Sequence, residues 1–161
     1  MKKASSDVIR LIVCILICEG AGLLGSIATM PRIPVWYASL AKPSFTPPAW
    51  LFGPVWTGLY LLMGISLFLV WRLERGRSGR RPAVVLFAVQ LALNVLWSFV
   101  FFGARSTLGG LIVIIVLWVM IVVTIGSFAR LSVAASILLE PYLLWVSFAS
   151  VLNAAIFRLN R

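Results

Sequence analysis

The chain contains no histidine at all. That excludes a histidine-ligated haem and a zinc site of the His/Cys type. Acidic residues are nearly absent as well: Asp7, Glu19, Glu74 and Glu140 are the four carboxylate side chains in 161 residues. They are scattered, so no acid–base pair and no acidic metal cluster can be read from them. Cysteine occurs twice, as Cys14 and Cys18, one helical turn apart. Such a pair holds a metal only with further ligands, and it reads instead as small packing residues. Charge is scarce overall. Only 11% of residues are charged, against about 25% in a soluble domain.

What fills the chain is apolar. Hydrophobic residues make up 62% and the mean hydropathy is +1.09. Five apolar stretches stand out, at about 8–30, 51–71, 83–102, 108–128 and 134–157. Each has about the twenty residues that cross a hydrocarbon core at roughly 1.5 Å per residue. The expected fold is therefore an all-α integral membrane protein, a single transmembrane domain over 1–161 built as a five-helix bundle. The basic start MKKASS resembles a signal peptide, but the apolar run behind it is too long for one and reads as the first spanning helix.

The net charge is +10. In a soluble protein that would suggest nucleic acid. Here the bases flank apolar runs, where they set topology and meet anionic head groups, so no nucleic-acid partner is expected. Five spans put the termini on opposite sides. Lys2, Lys3, Arg10, Arg72, Arg75, Arg77, Arg80, Arg81 and Arg130 fall on the N-terminal side, and Arg32, Lys42, Arg105, Arg158 and Arg161 on the other. The positive-inside rule then predicts a cytoplasmic N-terminus. The kind of membrane is not legible.

Two connectors are long. RLERGRSGRRP, at 72–82, is a basic hairpin. The other leads into the second span, and Trp36 to Tyr60 reads WYASLAKPSFTPPAWLFGPVWTGLY, with four prolines, three tryptophans and Lys42. Bilayer anchoring requires none of these, and a proline-clamped aromatic loop suggests a lid. Pro47 and Pro48 can start the second helix. Pro141 should bend the fifth stretch or mark its start.

Polar side chains at bilayer depth usually face the bundle interior. Helical spacing makes three inward stripes: Gly53, Trp56, Tyr60 and Gly64; Gln90, Asn94, Trp97 and Phe101; Tyr142, Trp145, Ala149 and Asn153. The amides can serve as glue between helices. Trp36, Trp50 and Trp71 suit an interfacial belt, but Trp56, Trp97 and Trp145 lie inside their spans and suit an apolar pocket. The fourth stretch is apolar all round, as suits a helix largely facing lipid. Cys14, Cys18, Gly22 and Ser26 form a small-residue series for close packing, and Ala88 and Ala92 a shorter one.

These segments resemble the TspO/MBR family of tryptophan-rich sensory and translocator proteins. The Trp36–Tyr60 segment is similar to its first loop and second helix, QLALNVLWSFVFFGAR to its third helix, and PYLLWVSFASVLN to its fifth. The resemblance implies a five-helix bundle, often a homodimer, with a pocket for tetrapyrroles such as protoporphyrin IX or haem. It also implies that benzodiazepine-type or isoquinoline carboxamide drugs can enter that pocket. No cofactor is required, and the tetrapyrrole is a ligand. By motif position, Trp36, Tyr37, Pro47 and Pro48 belong to the loop over the pocket. Trp56, Tyr60, Asn94, Trp97, Trp145 and Ala149 would line it, with Lys42 placed to meet ligand carboxylates. The tyrosine-bearing cholesterol motif of animal relatives is missing, with Ala154, Ala155, Ile156 and Phe157 in its place. That argues against specific cholesterol recognition.

The leading function is thus a membrane tetrapyrrole-binding sensor, regulator or carrier. A second is light-dependent degradation of protoporphyrin IX, with Trp56 and Trp145 as the catalytic pair. A third is a small proton-coupled exporter, based on Glu19 within the first span.

Overall fold

The computed structural model describes residues 2–74 and 76–161, with side chains described from Ser6 onward. Arg75 and the side chains of Lys2 and Lys3, part of the basic count above, lie outside the described residues. The protein is all-α among these residues. Helix α1 spans Lys2–Thr29, α2 Ala49–Trp71, α3 Arg80–Ser98, α4 Thr107–Ala129, α5 Val133–Ile137 and α6 Glu140–Leu159. A π-helical turn, Phe99–Gly103, extends α3, and α5 and α6 together make the fifth span. The five spans are each 23–27 residues and apolar, and the protein is an integral, multi-pass membrane protein.

Local chemistry sets the helix ends. Pro48 is the N-cap of α2, where its missing N–H costs nothing. Ser106 caps α4 by accepting from the Gly109 amide at 3.0 Å, and Ser132 caps α5 by accepting from Ala135. Pro141 sits in the first turn of α6. The proline expected to bend the fifth span or mark its start therefore opens α6 behind the break at Leu138–Leu139.

Packing closes the helices into a ring. Helix α1 packs on α2 and α3, α3 on α4, α4 on α6, and α2 completes the circuit through α5 and α6. Gly64 brings α2 against α1 so closely that a Cβ there would lie 2.7 Å from Ile15 Cα. Ser66 donates to the Ala135 carbonyl at 2.6 Å, tying α2 to α5. Phe87 and Phe128 stack at 5.8 Å between α3 and α4. Outward-facing Leu16, Ile115, Val119 and Leu144 are exposed, as a lipid-facing surface requires. Helix α4 shows the same division: Ile112, Val116 and Val123 face out while Ile114, Leu117 and Ile121 are buried against its neighbours. At one end Asp7 pairs with Arg10 at 3.5 Å and with Arg72 at 3.3 Å, joining the start of α1 to the end of α2.

The segment between α1 and α2 lies across the opposite end. It begins with a second π-helical turn, Ile33–Tyr37. Trp36 packs edge-on to Phe101 at 5.4 Å and Phe102 at 6.3 Å, and Tyr37 reaches the same two rings. Together with Ile33, Leu40, Leu152 and Ile156 they form a small core of their own, separate from the main one.

Candidate ligand-binding site

A cavity of about 450 Å³ lies beneath this segment, within the range typical of small-molecule sites. Its mouth is formed by Thr29, Met30, Ile33, Tyr37 and Trp50, and its walls by Trp56, Trp97, Phe101 and Phe102. At the base Tyr60 donates to Asn94 Oδ1 at 2.6 Å, and Asn94 Nδ2 donates to the Tyr142 hydroxyl at 2.9 Å. One amide thus joins α2, α3 and α6. Trp56 stacks on Tyr60 with centroids 5.4 Å apart, carrying the aromatic lining up from that base. Trp97, also in the lining, stacks on Phe101 at 5.3 Å and donates to Asn153 Oδ1 at 3.3 Å. Asn153 in turn donates to the Thr107 carbonyl at 2.9 Å, which holds α4 to α6.

Of the residues singled out in the sequence, Tyr37, Trp56, Tyr60, Asn94, Trp97 and Ala149 line this cavity. Trp36 does not; it braces the loop from behind, against Phe101 and Phe102. Lys42 is also turned away from the cavity. Its ammonium donates to the carbonyls of Tyr37, Ala38 and Leu40 at 2.8–3.0 Å, using all three of its donors to brace the loop. Pro47 and Pro48 lead into α2 without lining the cavity. Trp145 packs against Phe52 at 5.8 Å and Phe148 at 5.6 Å, and its buried indole N–H has no partner among the described residues. Of the three tryptophans assigned to a belt, Trp50 fits best, being 73% exposed.

Other expectations divide in the same way. Asn94 and Asn153 do join helices, but Gln90, 1% exposed, has no hydrogen-bond partner for either end of its amide among the described residues. Cys14 and Cys18 are buried in the main core, and Gly22 admits the Tyr60 ring, where a Cβ would lie 2.5 Å from Cε2. Ala88 and Ala92 instead lie on an exposed shallow groove with Gly20 and Ala21. The first helix contributes more of the cavity than its sequence suggested: Glu19, Gly22, Gly25, Ser26 and Thr29 all line it. Gly22 and Ser26 had read as packing positions, and small residues at helical spacing were the signal for both roles.

Burial pushes the Tyr37 hydroxyl above the ordinary tyrosine range, because the phenolate would lose its hydration. Most polar side chains of the lining are engaged within the protein. Ser26, Thr29 and Thr57 donate to carbonyls of their own helices.

The TspO/MBR family model matches residues 14–159. This chain belongs to that family. It is 47% identical over 156 residues to the tryptophan-rich protein TspO of Chlorobaculum tepidum, covering 97% of this chain and 99% of that one. It is 45% identical over 154 residues to the protein of the same name from Archaeoglobus fulgidus, covering 96% and 99%. The human translocator protein is 40% identical over 127 residues, covering 78% of this chain and 75% of the human one.

Proposed function

We propose that the cavity binds a tetrapyrrole, protoporphyrin IX or haem, within the membrane, and that the protein serves as a sensor, regulator or carrier of it. The carrying observation is that two aromatic stacks, Trp56 on Tyr60 and Trp97 on Phe101, line one cavity. Flat indole and phenol faces favour a flat π-system, and the few polar groups at the base orient it. The chain has no histidine to bind an iron, so the ring is held by its faces and by hydrogen bonds. The Trp56 indole N–H makes no hydrogen bond to the described residues and is a free donor in the wall. With Lys42 occupied in the loop, Arg32, adjacent in the chain to the lining residue Ile33, is the nearby cation for ligand carboxylates in this reading. Relatives named as sensory and translocator proteins support this reading. The basic hairpin and N-terminus then face the cytoplasm, with the loop on the other side.

The test is titration of purified protein with protoporphyrin IX, following tryptophan fluorescence. Quenching that saturates at stoichiometric ligand is expected. A linear, non-saturating loss matching that of detergent micelles containing an unrelated membrane protein would overturn the reading.

A further inference from the structure

Glu19 lines the cavity from α1. Its span runs Ser6–Thr29, so it lies roughly 20 Å and 15 Å along the helix axis from the two ends. Carboxylates at such depth are rare and costly unless they gain a partner. Among the described residues Glu19 makes no hydrogen bond and no ion pair; the two ion pairs both use Asp7. No lysine or arginine among the described residues lines the cavity. A protein of net charge +10 therefore has a cavity whose one formally charged side chain among the described residues is an acid. The surrounding walls are apolar and aromatic, and the other polar groups of the base, Tyr60 and Asn94, already satisfy one another.

We propose that this cavity accepts a lipophilic aromatic cation, with its ring between the aromatic stacks and its charge on the Glu19 carboxylate. The walls suit such a ligand twice over, since indole and phenol faces attract cations as well as flat rings. Glu19 is only partly buried, but at bilayer depth a carboxylate with no counter-ion still gains more from a cation than it would in water. The assignment stands on the cavity and on Glu19, and does not require that tetrapyrroles bind.

The test uses two dyes of the same shape, 9-aminoacridine and acridine, at mildly alkaline pH, where the first is a cation and the second neutral. The full chain is placed in nanodiscs of zwitterionic lipid, with empty nanodiscs as the blank, and tryptophan quenching is titrated. The wild type should bind the cation about tenfold more tightly than the neutral dye. Glu19→Gln should bring the two within about twofold, with acridine still quenching saturably above the blank, which shows the cavity intact. Glu19→Asp, which keeps the charge, should keep the preference. Equal binding of both dyes by the wild type, no binding of either above the blank, or a preference that survives Glu19→Gln or vanishes in Glu19→Asp would overturn the assignment. A failed protoporphyrin IX titration on the same samples, with the dye preference intact, sinks only the tetrapyrrole reading.

Discussion

Asn160 grips Ala41 with both ends of its side-chain amide. Its Oδ1 accepts from the Ala41 N–H at 3.0 Å and its Nδ2 donates to the Ala41 carbonyl at 2.9 Å. The two residues are 119 positions apart, so the pair closes the 30–48 segment onto the C-terminal end of α6. On the segment's other flank the Lys42 ammonium gathers three carbonyls. The loop is therefore fastened at its own middle and leans inward through Trp36.

Asn160→Ala should loosen that fastening without unfolding the bundle. Three hydrogen bonds are lost: the two to Ala41 are solvent-exposed, and the third, from Nδ2 to the Ile156 carbonyl, lies in the last turn of α6, so the cost to global stability should be about 1 kcal/mol. Local opening should change much more. Hydrogen exchange of the Ala41 amide should accelerate by roughly tenfold, and ligand release with it. Unchanged exchange at Ala41 and its neighbours would show that Trp36 and Lys42 hold the segment alone.

Trp56 and Trp145 look alike in the sequence and are placed differently. Trp56 forms cavity wall and stacks on Tyr60, whereas Trp145 lies behind it against Phe52 and Phe148. Trp56→Leu should weaken binding of a flat aromatic ligand by roughly 2- to 12-fold, the worth of one aromatic stack. Trp145→Phe should leave affinity within about twofold, since it removes an indole N–H with no partner and keeps an aromatic ring. Equal losses in the two variants would mean that Trp145 reaches the ligand through a rearrangement of Phe52.

That contrast shows where sequence reading succeeds and where it stops. Tyr60, Asn94, Tyr142 and Asn153 were legible because polar groups at bilayer depth must turn inward and find each other, and helical spacing says which ones share a face. The five spans were legible for the same reason, from length and hydropathy. Spacing cannot distinguish the two sides of an inward face, so Trp145 read as cavity lining though it sits one layer out. Lys42 read as a ligand-facing cation because spacing does not show that the loop folds its own Tyr37, Ala38 and Leu40 carbonyls onto the ammonium. The packing role of Gly22 was visible, but its place in the cavity wall depends on the Tyr60 ring that it admits.

The glycines of α2 offer a test of the helix contacts. A methyl group at Gly64 would press on the Ile15 backbone of α1, which cannot step aside as a side chain can. Gly64→Ala should cost about 1–3 kcal/mol, the usual penalty of overpacking. Gly58, on the same helix, has open space around its Cβ position. Gly58→Ala should be neutral or stabilising by about 0.5–1 kcal/mol, because alanine loses less backbone entropy in a helix. Thermal unfolding of both variants in one detergent should therefore shift in opposite directions or in one direction only for Gly64→Ala. Equal destabilisation would mean that the α1–α2 contact is not at Gly64.

Tyr37 makes the loop sensitive to alkali. Its phenol is half-buried against Phe101 and Phe102, and burial raises its pKa by penalising the phenolate. The closed loop thus holds the hydroxyl proton more tightly than the open one does. By linkage, the closed state keeps its full contribution below the ordinary tyrosine value of about 10 and loses it as pH rises through the raised value. The alkaline absorbance titration of the wild type minus that of Tyr37→Phe should show one tyrosine with a midpoint above about 10. A fluorophore on Ser39→Cys, an exposed position, should report loop opening over the same pH interval, and Tyr37→Phe should abolish that transition. Opening that persists at the same pH in Tyr37→Phe would assign the alkaline sensitivity to another group.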